Sequence, residues 1–71
     1  VGEWIVEFVA AVDEARGRAL VTAHGGQIRR RMRSDGALTL LVRGPAALGA
    51  ALAGAALVAR VEENGGGYET R

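Results

Sequence analysis

Apolar and polar positions alternate along residues 27–43, QIRRRMRSDGALTLLVR, in the way of a β-hairpin, and the rest of the chain is arranged around it. Ile28 and Met32 stand among arginines in the first arm, Ser34, Asp35 and Gly36 supply turn chemistry, and Leu38, Leu40 and Val42 alternate with Ala37, Thr39 and Leu41 in the second. A strand apolar on both faces lies in the middle of a sheet, so residues 37–43 are expected as a central strand and the Arg-rich arm as an edge.

On either side of the hairpin the pattern is a strand and a helix. Residues 2–12 open with WIVEFVAAV and predict a strand with Trp4, Val6 and Phe8 on one face and Glu3, Ile5, Glu7 and Val9 on the other. Asp13 then offers a helix N-cap, Glu14 suits the positive end of the dipole, and Ala15, Ala19, Leu20 and Ala23 recur at helical spacing until Gly25-Gly26. Gly17 inside that helix costs about 1 kcal/mol relative to Ala, so packing must hold it. After the hairpin, Gly44-Pro45 introduces a second helix with Leu48 and Leu52 four apart, where Ala47, Ala51 and Ala55 are expected to allow close approach to the sheet. Residues 57–63, LVARVEE, predict a last strand with Ala59 and Val61 on one face and Arg60 and Glu62 on the other.

The order strand, helix, strand, strand, helix, strand predicts an α+β, ferredoxin-like split βαβ fold (βαββαβ), a four-stranded antiparallel sheet with two helices on one face. Right-handed crossovers make the first and third strands central. Residues 1–64 form the single domain and residues 65–71 a flexible C-terminal tail. The uncovered face would carry Ile5, Val9, Thr39 and Leu41, and an apolar open face of that kind is a docking surface.

Composition narrows the function. A 71-residue chain without cysteine has a barely sufficient core, and eleven glycines raise the entropy lost on folding, so modest stability alone and a large gain from a partner are expected. The net charge of +1 calls for neither nucleic acid nor an anionic membrane, and no apolar run approaches a transmembrane span. The chain does not begin with Met and reads as excised from something longer. His24, the single histidine, sits at a helix end beside two glycines, the place of a helix C-cap. Glu62 and Glu63 are adjacent on a strand and point to opposite faces, so they form neither an acid–base pair nor a metal site. The glycine runs lack the setting of a phosphate loop. A binding module without catalytic residues, metal or cofactor is expected.

Arg29, Arg30, Arg31 and Arg33 form the densest charge cluster. Charges on an edge strand block edge-to-edge aggregation, while a nucleic-acid surface would need exposed aromatics on the central strands, where Thr39, Leu41, Ile5 and Val9 stand instead. A nucleic-acid partner is therefore not the favoured expectation, and RNA contact stays a weak alternative.

WIVEFV near the start, AHGGQIRRRMR after the first helix, DGALTLLV in the third strand, GPAALGAAL in the second helix and LVARVEEN at the end together resemble the subtilisin-propeptide-like inhibitor family, over nearly the whole chain. Ala37 stands where that family usually has an aromatic, and Asn64 where Asp is frequent. The resemblance implies an intramolecular chaperone or inhibitor of a subtilisin-like serine protease, secreted or extracytoplasmic if it is a prosegment. It implies that the open sheet face rests on two protease helices, that Glu62 and Asn64 cap those helices, and that the tail, with Tyr68, Glu69, Thr70 and Arg71, lies in the substrate cleft. The glycines of the tail equally fit a flexible linker. From a different functional class, a ferredoxin-like assembly, regulatory or RNA-contacting module would use the same face to pair with a copy of itself; a homo-oligomer is not the favoured expectation.

Overall fold

The computed structural model describes residues 2–32 and 36–64, with Asn64 described through its backbone. Its elements run β1 (Gly2–Phe8), α1 (Glu14–Ala23), β2 (Gln27–Met32), β3 (Thr39–Gly44), α2 (Leu48–Ala53) and β4 (Val58–Asn64). The strands form one antiparallel sheet in the order β2-β3-β1-β4, so β1 and β3 are central, as their two-sided apolar patterns require. This is the α+β ferredoxin-like arrangement.

The covered face of the sheet holds the core. Trp4, Val6 and Phe8 from β1 and Leu40 and Val42 from β3 pack with Val21 of α1 and Leu48 and Leu52 of α2, while Val12 and Val58 close the end. Each such side chain contributes about 1.5–3 kcal/mol by leaving water. The first strand is shorter than its apolar run, ending at Phe8, because Val12 enters the core from a turn closed by its N–H on the Val9 carbonyl.

Local chemistry sets the helix ends. The Asp13 carboxylate accepts from the Arg16 N–H at 2.9 Å, the expected N-cap. At the other end the Gly25 and Gly26 N–H groups reach the Thr22 and Val21 carbonyls, a Schellman closure that puts Gly25 at φ +84°, where a side chain would be strained. His24 is the C-cap residue, and its Nδ1–H donates to the Leu20 carbonyl at 2.9 Å in the tautomer with the proton there.

The inward faces of both helices differ from the alanine pattern. In α1 Gly17 and Val21 are buried and Leu20 is half-buried, whereas Ala15, Ala19 and Ala23 are exposed. In α2 Leu48, Gly49 and Leu52 are buried, Ala47 and Ala51 are exposed, and Ala55 packs against the core edge. Alanine has too little surface to decide orientation, and the positions of Val21, Leu48 and Leu52 do decide it. The close approach expected of Ala47 and Ala51 is made by Gly49, where an added Cβ would collide with the Trp4 indole nitrogen.

Both edge strands are bulged. In β2, Ile28 pairs with Val42 but Arg30 with Leu41, so Arg29 is the extra residue; in β4 the ladder skips Ala59 between Val58 and Arg60. Ile28 and Met32 therefore face opposite sides of the sheet, as Val42 and Thr39 opposite them do, although they are four apart.

Candidate functional site

The strand registers place three rows of residues across the uncovered face, each read from β2 to β4. Gln27, Arg43 and Glu3 lie in the first row, which continues to the backbone of Asn64; Arg30, Leu41, Ile5 and Glu62 form the second; Met32, Thr39, Glu7 and Arg60 form the third. Ile5 and Leu41, directly paired on the central strands, are half-buried and make the apolar centre, while Arg30, Arg43, Arg60 and Glu62 around them are exposed. Both helices pack their apolar residues on the other side of the sheet.

Charge on this face is divided. The β2 and β3 half carries Arg30 and Arg43, and the β1 and β4 half carries Glu3, Glu7 and Glu62 with Arg60. Arg60 spans two of those carboxylates: its Nη2 donates to Glu62 Oε1 at 3.3 Å, and its Nε lies 3.9 Å from Glu7 Oε1. Exposed pairs of this kind contribute at most about 1 kcal/mol, so Glu62 can leave Arg60 for a stronger donor at little cost. Arg31 alternates to the covered side, where its guanidinium reaches Glu14 at 3.1 Å beside the Arg18–Glu14 pair at 2.8 Å. The hydrogen bond from Arg18 is the main cause that holds the Glu14 carboxyl below its ordinary value of 4.5; desolvation opposes it, and the charges of Arg18 and Arg31 and the Arg31 hydrogen bond add to the lowering.

Thr39 departs from its expected place as an open surface residue. It is on the uncovered face by register, between Glu7 and Met32, yet only 7% exposed, and its hydroxyl is buried with no hydrogen-bond partner among the described residues. Val9 lies one residue past the end of β1, with its N–H on the Leu57 carbonyl, and is 37% exposed. Of the four residues expected to form the docking face, Ile5 and Leu41 are thus brought together, Thr39 is sunk beside them and Val9 stands at the rim.

Glu62 and Asn64 occupy alternate positions of β4, paired with Ile5 and Glu3. Tyr68, Glu69, Thr70 and Arg71 lie outside the described residues, as do Arg33, Ser34 and Asp35 of the hairpin. Gly36 of that turn has φ +74°, the conformation for which a turn glycine was expected. Glu3, Glu7 and Arg60 join the face where the alternation of Ile5 and Glu62 places them, and Arg43 follows from the parity of Thr39 and Leu41, but Arg30 is reached only through the bulge at Arg29.

Trp4 and Phe8 are buried on the helix side, so the described open face offers no aromatic platform for stacking bases. Among the described residues no three His, Cys, Asp or Glu side chains are grouped as a metal site would need, and no helix is long and apolar enough to cross a membrane. No protein-family model, curated protein or solved structure matches this chain.

Proposed function

We propose that the chain binds a subtilisin-like serine protease as a propeptide-type intramolecular chaperone or inhibitor, its open sheet face docking on the enzyme and its tail entering the substrate cleft. The observation that supports this reading is the Ile5–Leu41 centre on an uncovered face whose β4 edge carries exposed Glu62 and leads directly into the tail. Apolar burial at that centre supplies affinity. Glu62 and Asn64, at alternate strand positions, accept from the free N–H groups of two adjacent protease helices, with Glu62 exchanging Arg60 for that partner.

From Asn64 the seven residues of the tail extend on the order of 23 Å at about 3.3 Å each, enough to reach several subsites. In the cleft the tail pairs by β-augmentation, its glycines allowing close backbone approach, Tyr68 filling an apolar subsite and Arg71 lying before the position of the scissile bond.

Titrating the chain against a subtilisin-like protease tests the reading: inhibition at micromolar concentration or below is expected, and undiminished proteolysis there removes it. Removing residues 65–71 is expected to lower inhibition by orders of magnitude while circular dichroism still shows the folded sheet; a linker could be lost without effect. Replacing Glu62 and Asn64 together with Ala is expected to weaken binding by roughly 1–3 kcal/mol at fixed ionic strength, and unchanged affinity would exclude the capping role.

A further inference from the structure

We propose that the open face also binds a second copy of this chain, through a two-fold axis that lies between the two stacked sheets and runs along the strands. The charge division of the face carries the inference. A two-fold axis in that direction reverses the strand order, so β3 of one copy lies over β1 of the other and β2 over β4. Row by row, Leu41 then meets Ile5 of the second copy, Arg30 meets Glu62 of the second copy, and Arg43 meets Glu3 of the second copy, each contact occurring twice. The other in-plane axis, across the strands, sets Arg30 over Arg30 and Glu62 over Glu62 and brings Glu3 over Glu7. Like charges in contact oppose that arrangement, so the charge pattern selects the first. Sheets stacked face to face cross at about 30°, which leaves the central Leu41–Ile5 contacts in place and lets the long Arg30 and Glu62 side chains keep their reach.

The size of the face sets the strength. Four strands about 4.8 Å apart and six residues of about 3.3 Å give a patch of roughly 400 Å² per copy. Two such patches fall short of the roughly 1,200–2,000 Å² of a stable complex, so the pair exchanges with monomer. Binding of a second copy and binding of a protease exclude each other, because both bury Ile5 and Leu41. The inference uses the same face as the inhibitor reading but does not depend on it, since self-association is measured with no protease present.

Sedimentation of the full chain from about 10 µM to 1 mM in low salt tests the proposal. The average mass is expected to rise from the monomer value of 7.4 kDa toward twice that. Arg30→Glu alone and Glu62→Arg alone are each expected to weaken association about ten-fold or more, and the two together to restore it, since the swapped charges again face each other. Both positions are exposed, so the variants keep the fold, which circular dichroism verifies. A chain that stays monomeric at 1 mM overturns the proposal, and so does association that the single reversals leave unchanged or that the double reversal fails to restore.

Discussion

The hydroxyl of Thr39 is the clearest energetic defect at the scale of single residues. A buried O–H that no described residue partners costs about 1–3 kcal/mol, and valine has the same shape without the polar atom, so Thr39→Val is expected to stabilise the domain by about 1 kcal/mol, read as a raised urea midpoint with unchanged slope. Gly49 poses the opposite problem. Helix propensity alone favours Ala there by about 1 kcal/mol, but the new methyl would press on the Trp4 indole and Trp4 is held by the core. Overpacking of that kind costs about 1–3 kcal/mol, so Gly49→Ala is expected to lower stability despite the better helix former, and a rise in thermal midpoint would contradict the contact. Nothing in the sequence distinguishes Gly49 from Gly54, which is exposed; the difference is where Trp4 lies.

Among the elements, α1 is joined to the edge strand β2 through one carboxylate. Glu14 receives Arg18 from its own helix and Arg31 from the strand, and its folded pKa is lowered below 4.5. A lowered folded value means that the ionised group stabilises the fold above its unfolded pKa, and that this contribution disappears as pH falls from about 4.5 through the folded value. Glu14→Gln is therefore expected to flatten stability against pH in that acid window, and to change nothing in its slope near neutrality. The element boundaries show what was legible and what was not. Both-face apolarity correctly marked β1 and β3 as central, and Asp13 and Gly25 correctly bounded α1. The inward helix faces were obscured because the three alanines in each helix decide no orientation, and the bulges at Arg29 and Ala59 were obscured because neither residue type favours a bulge.

For the whole molecule, the same sparing use of large side chains limits stability. Helices of 10 and 6 residues cannot persist alone, and they rest on a core in which Trp4 and Phe8 are the aromatics. The isolated chain is expected to melt well below about 80 °C, with a midpoint that rises with the concentration of anything that binds the open face. A midpoint that stays fixed across a range of protein concentration would count against self-association. Half of the candidate site, Ile5, Leu41 and the Glu62–Asn64 spacing, was legible as strand alternation. Its charge division was not, because it depends on which strands become neighbours and on a bulge that brings Arg30 into the same row as Glu62.

Trp4, the single tryptophan of the chain, lies between β1 and α2 on the side of the sheet away from the open face. Its emission is therefore an internal optical gauge of how firmly α2 is seated, and no label is needed to follow it. A partner that merely docks on the uncovered side leaves that gauge still; one that tightens the entire domain narrows and blue-shifts the band without touching the indole. Fluorescence of the native chain thus separates surface capture from coupled ordering in a single titration.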